Sequence, residues 1–252
     1  MDKEHISSPE QKEQIPYNIL GKISIMRHGA TEYTEQYPDL TDLGAEQITI
    51  QAKKMKEKID QEKEDVFIAS SPAARARGSA DIVRTELGGR ETRVMRSMRG
   101  VQIRNREEAM RMIQEIIGPD KDVKKMDRAY AHDPQFEERV DVWEPRSNIE
   151  KRFFNGFEHL VRVFNKYNET NSQKIAHFVG VSHFELLNHL VKRVFHLDSP
   201  EADQLNFGEM IEMTVLGARE EHHIPILITF RGKTKEIVFD RNTKAIEITK
   251  ED

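Results

Sequence analysis

The chain has 252 residues, 39 basic against 44 acidic side chains, a net charge of -5, and no cysteine. That balance gives no bulk electrostatic reason to expect nucleic-acid binding. The lack of cysteine removes disulfides, thiolate catalysis and thiolate metal sites. No apolar run approaches the roughly 20 residues a membrane span needs, and the first residues carry no apolar stretch of signal-peptide type, so a cytoplasmic protein is the expectation.

Residues 1–18 are polar and without periodicity, and read as a flexible lead-in to one domain over residues 19–252. Ile23-Ser24-Ile25-Met26 is a short apolar run that ends abruptly in charge, the pattern of a buried strand. After Thr41, a residue type suited to an N-cap, come Ala45, Ile48, Ala52, Met55 and Ile59, spaced as one helix face. Residues 66–69 form the next strand. It leads into Ser70-Ser71-Pro72, where Ser71 can cap a helix that buries Ala76, Ala80, Val83 and Leu87 and stops at Gly88-Gly89.

Residues 97–145 read as an inserted region lying over the sheet edge. It is rich in arginine and acids, with an amphipathic stretch at Ala109, Met112, Ile113 and Ile116. Ser147-Asn148-Ile149-Glu150 matches a capping box ahead of a long helix carrying Phe153, Phe157, Leu160 and Phe164. Residues 174–181 are a third core strand, and a helix with Leu187, Leu190, Val191 and Val194 follows. Short β-type runs occupy 212–216, 225–230, 236–239 and 245–249. Strands alternating with helices imply an α/β three-layer sandwich: a mostly parallel central sheet with helices on both faces, and antiparallel strands added at its edge by the last segments.

Three strand ends carry the chemistry. The first gives Arg27-His28, the second leads to Arg75, and the third gives Ser182-His183. In an open α/β sheet the ligand crevice lies at the carboxyl ends of the strands, beside helix N-termini that favour anions. Two arginines with planar donors and two imidazoles at one point suit a phosphoryl group, and an imidazole can be its nucleophile.

Arg27-His28-Gly29-Ala30-Thr31-Glu32 resembles the opening motif of the histidine phosphatase superfamily, the phosphoglycerate mutase-like proteins. Leu40-Thr41-Asp42-Leu43-Gly44-Ala45-Glu46-Gln47 resembles the segment opening its next helix. Ser70-Ser71-Pro72-Ala73-Ala74-Arg75-Ala76 resembles its second arginine motif, and Val181-Ser182-His183 its second histidine motif. The four stand in family order over roughly residues 20–220. The resemblance implies a phosphoglycerate mutase-like fold, His28 as the nucleophile that becomes phosphohistidine, and Arg27 and Arg75 on the phosphoryl oxygens. It implies His183 as a further phosphate-binding and charge-stabilising group, and no metal or cofactor. Thr34 falls where many relatives carry an asparagine near the phosphate.

One departure stands out. The phosphoglycerate mutase branch has a glutamate general acid some twenty-odd residues after the second arginine. The comparable stretch here, Val94-Met95-Arg96-Ser97-Met98-Arg99-Gly100-Val101-Gln102, has no carboxylate. Glu107, Glu108, Asp133 and Glu185 are the candidates for that role. A leaving group of low pKa would lessen the need for one. Arg96, Arg99, Arg104 and Arg106 are alternatively a patch that reads a polyanion. The expected function is hydrolysis of a phosphomonoester or phosphoanhydride. The rivals are a phosphoglycerate mutase-type phosphotransferase and a non-catalytic phosphate- or phosphoprotein-binding module. The expected partner is a small phosphorylated substrate, with a phosphoprotein as the alternative. Nucleic acid and membrane are not expected, and the oligomeric state is open.

Overall fold

The computed structural model describes residues 18–32, 39–120, 122–171, 173–196, 205–218 and 222–248. Thr34 and all but the last residue of the expected lead-in lie outside the described residues. The strands are β1 (Ile19–Arg27), β2 (Glu64–Ser70), β3 (Thr92–Val94), β4 (Ile175–Ser182), β5 (Met210–Leu216), β6 (His223–Phe230), β7 (Lys233–Asp240) and β8 (Ala245–Ile248). They form one sheet in the order β3-β2-β4-β1-β5-β6-β7-β8. The helices are α1 (Asp42–Lys58), α2 (Ala74–Leu87), α3 (Arg106–Ile117), α4 (Val123–His132), α5 (Gln135–Glu138), α6 (Arg146–Thr170) and α7 (Phe184–Phe195), with a 3-10 turn at Arg96–Met98.

Side-chain alternation along the strands builds two cores, as the pleat requires. Ile23 and Ile25 of β1 and Phe178 of β4 join α6 and α7 on one face. Met26, Val179 and Val181 join Ile48, Ala52, Ala76 and Ala80 of α1 and α2 on the other. The α/β architecture with a helix layer on each face is the expected one. The strands from β3 to β1 pair in parallel. From β1 through β8 every pairing is antiparallel. The antiparallel share is thus larger than an edge addition, and the sheet as a whole is mixed. A short link fixes one of these pairings: between β6 and β7 only Arg231 and Gly232 turn the chain, both at positive φ (47° and 75°), and a two-residue turn joins only antiparallel strands.

Two predicted caps form differently. Thr41 caps α1 as expected, its side chain accepting from the Gly44 amide. α2 begins later than the Ser71 reading implies: Ala73 is its N-cap residue, without a side-chain cap. The capping box at Ser147 does not form, because α6 already begins at Arg146 with Pro145 at the N-cap position. Ser147 instead donates from Oγ to Glu137 Oε1 at 2.6 Å. The region 97–145 contributes α3, α4 and α5. Rather than resting on an edge strand, its buried Ala109, Tyr130, Phe136 and Trp143 join the α6–α7 core, with α4 against α7.

Candidate active site

Topology brings the three strand ends together. β1 and β4 are parallel neighbours with Arg27 in register with Ser182, so His28 and His183 emerge side by side, their ring centroids 5.1 Å apart. β2 flanks β4 on the other side, with Ser70 opposite Val181, and the turn after it delivers Arg75 on the first turn of α2. The His28 amide donates to Ser182 O at 3.0 Å, tying the two ends. Gly29 permits the next close approach: a Cβ there would lie 2.3 Å from the Gly44 carbonyl oxygen at the start of α1. The Ala30 amide donates to Gln47 Oε1 at 3.0 Å, which completes the seat of the loop on α1.

The hydrogen bonds assign the tautomer of each imidazole. His28 Nδ1 lies 2.8 Å from the Gly29 carbonyl oxygen, which only accepts, so Nδ1 carries the proton. Its Nε2 is then a lone pair, and Arg75 Nε donates to it at 3.1 Å. Arg75 Nη2 donates to His183 Nδ1 at 3.3 Å, which leaves the His183 proton on Nε2, 2.6 Å from Ser71 Oγ. Ser71 Oγ also accepts from the Ala73 amide. Both rings are buried at 2% exposure. Burial, then the Arg75 charge and, less, that of Arg27, hold His28 well below the ordinary histidine value, against the bond to Gly29 O, which raises it. Burial, then His28, Arg75, Arg27 and Arg152 do the same to His183. Both are neutral at pH 7.

Arg27 is 3% exposed. Its Nη1 donates to Asp127 Oδ2 at 2.8 Å and to Leu205 O at 2.6 Å. Phe207 and Phe184 flank the guanidinium, 4.1 and 4.9 Å from its carbon. Its Nε is buried without a hydrogen-bond partner among the described residues, a donor that an anion would satisfy. Arg152 gathers the turn beside His183 by donating to the carbonyls of Ser97, Arg99 and Gly100, and it pairs with Glu144.

Arg27, His28, Arg75 and His183 are therefore in one cluster. Of the four acid candidates, Glu185 alone is beside it: its Oε2 lies 3.3 Å from where a Cβ on Gly100 would stand, and the His183 ring 3.1 Å from the same point. Glu107 is exposed on α3. Glu108 is held ionised, at about 2, by Arg111 first and then Arg139. Asp133 accepts from the amide and the side chain of Gln135. Arg96, Arg104 and Arg106 are exposed, and Arg99 is tied to Glu144, so the arginine run does not gather on the cluster. The sequence reading passed over Asp127 and Phe207. A signal for Asp127 existed: Met126, Asp127 and Tyr130 share one helix face, so an acid stands between apolar residues. Phe207 gave none, since it lies in a loop.

No described helix is long and apolar enough to cross a membrane. Among the described residues, no group of three or more histidines and acids is placed to hold a metal ion. The family model for the histidine phosphatase superfamily, branch 1, matches residues 23–227. A search of curated protein sequences returns no significant match. Among solved structures, mycobacterial hydrolase 1 is similar at 16% identity and a TM-score of 0.58, over 85% of this chain and 99% of that one. Mycobacterial hydrolase 2 has 15% identity and a TM-score of 0.58, over 85% and 91%. A mycobacterial glucosyl-3-phosphoglycerate phosphatase has 16% identity and a TM-score of 0.53, over 77% and 90%.

Proposed function

Since the chain belongs to the histidine phosphatase superfamily, we propose that it hydrolyses a phosphomonoester or phosphoanhydride of a small molecule through a phosphohistidine on His28. The observation that carries this reading is the polarity of His28: proton on Nδ1, lone pair on Nε2, and a neutral ring kept so by burial. A neutral, oriented imidazole beside cationic donors is what nucleophilic attack on a phosphoryl group requires.

The geometry supports the following step. The phosphoryl oxygens take the donors of Arg75, which now meet the two imidazoles, and the unpartnered Nε of Arg27. His28 Nε2 forms the bond to phosphorus as the ester oxygen leaves with its electron pair and a proton. As negative charge arrives, His183 is favoured to take a proton from solvent on Nδ1, becomes a further donor, and returns that proton as phosphate departs. Water then attacks the phosphohistidine, releasing inorganic phosphate and restoring neutral His28. The first turns of α2 and α7, which start beside Arg75 and His183, add favourable dipoles for the anion.

The test is incubation with an aryl phosphate while both turnover and acid-labile, base-stable protein phosphate are followed. Turnover with transient label is expected, and His28→Ala should lose both. Turnover surviving that change would contradict the reading.

A further inference from the structure

The glutamate expected after the second arginine is absent, yet an alkoxide leaving phosphorus is too basic to depart readily without a proton. Among the described residues, two carboxyls stand by the pocket, Glu185 on the His183 side and Asp127 on the Arg27 side. We propose that Asp127, brought in by α4 of the inserted region, is the proton donor to the leaving oxygen.

The argument starts from α4. Asp122 caps it, accepting from the Lys124 amide, and its inner face carries Met126 and Tyr130 into the core beneath it. Asp127 lies between them, its side chain only 12% exposed. There it meets Arg27 edge-on through Nη1. The same guanidinium carries the buried Nε that lacks a partner, so one planar group spans the carboxyl and the anion it is set to receive. Groups bound to two nitrogens of one guanidinium are separated by little more than its own breadth, so the carboxyl is held near the anion site.

The surroundings favour the protonated form. Burial raises the Asp127 carboxyl to about 6; Arg27 opposes, and the negative charges of Glu185 on α7 and Asp122 on α4 add to the rise. Such an acid is poised to give up its proton near neutrality, whereas the surface-paired Glu108 is not. In the reaction, the Asp127 proton passes to the ester oxygen as the phosphorus–oxygen bond breaks and the His28 Nε2–phosphorus bond forms. The Asp127 carboxylate, balanced by Arg27, then takes a proton from the water that attacks phosphohistidine, and the acid is regenerated.

This proposal rests on His28 as nucleophile, and leaving-group chemistry separates the two. kcat/KM is measured over a series from dinitrophenyl to alkyl phosphates. The wild type should depend only weakly on leaving-group basicity. Asp127→Asn should lose about 10²–10⁴-fold on alkyl phosphates and under about tenfold on dinitrophenyl phosphate, while Asp127→Glu recovers part of the loss. An equal loss across the series, or a rise in KM alone, would make Asp127 a residue that only positions Arg27 and would overturn the proposal. A selective loss in Glu185→Gln with none in Asp127→Asn would overturn it too. Should Asp127→Asn not fold, the wild-type series decides: weak dependence supports a working acid, and steep dependence excludes one. Turnover without His28, or a wild type with neither turnover nor label, overturns the phosphohistidine reading and this proposal together.

Discussion

A histidine attacks phosphorus only as the neutral ring, and at His28 burial supplies that state before any neighbour does. Arg75 is the largest electrostatic contributor, so its removal has a signed consequence. Arg75→Ala should move the acidic limb of the kcat/KM profile upward toward the ordinary histidine value near 6.5, and should cost roughly 10²–10³-fold through lost phosphoryl donors. A pH profile of the variant with an unmoved limb would refute the linkage. Asp127 works in the opposite sense. Its value rises on folding, so the stability tied to it is complete below the unfolded value near 4 and is lost as pH rises through about 6. The difference in unfolding temperature between wild type and Asp127→Asn should therefore shift against the wild type from pH 4 to pH 7, measured by thermal melts. The four pocket residues were readable because each follows a sharp strand end. Asp127 was readable only in part: an acid between apolar residues marks it as buried, but nothing in its own segment points to Arg27, a hundred residues away in the chain.

At the scale of elements, the turns beside the pocket give up ordinary helix chemistry to serve the site. Ser71 reads as a cap, but its hydroxyl accepts from His183 and from the Ala73 amide, and α2 starts without a side-chain cap. Such a diversion leaves no trace in spacing, because the residue type suits both roles. α1 is readable in full, from the Thr41 cap to its buried face. Its Gly44 shows why the motif around His28 needs that helix: a Cβ at Gly44 would lie 2.2 Å from the Ala30 carbonyl oxygen. Gly44→Ala must push α1 off the loop that carries His28. It should destabilise the protein by about 1–3 kcal/mol and lower kcat, as read by chemical denaturation and steady-state kinetics. An alanine variant as stable and active as wild type would show that the loop does not depend on this contact.

For the whole molecule, strand order separates chemistry from support. The carboxyl ends of β1, β2 and β4 carry the pocket, while nearer their amino ends a buried chain runs from Lys22 through Glu64 and His177 to Ser24. Serine, histidine and acid are in the hydrogen-bond order of a hydrolytic triad. However, Ser24 is 2% exposed under the α1–α2 core and has no access for a substrate. The chain ties three parallel strands together. Glu64→Gln leaves charged and polar partners unsatisfied and should cost about 1–3 kcal/mol in denaturant unfolding, with kcat unchanged in the folded fraction. The parallel half of the sheet was legible from alternating strands and helices. The extent of the antiparallel half was not, because pairing direction depends on turns such as Arg231-Gly232, whose geometry periodicity does not report.

The central claim is that His28 accepts the phosphoryl group on Nε2, because Nδ1 is committed to the Gly29 carbonyl. Phosphorus NMR of rapidly quenched wild-type protein, with the label mapped by peptide, tests it most directly. The account predicts phosphate on His28 at Nε2, formed and discharged at least as fast as turnover. Phosphate on Nδ1, on another residue, or on none while substrate turns over would contradict it.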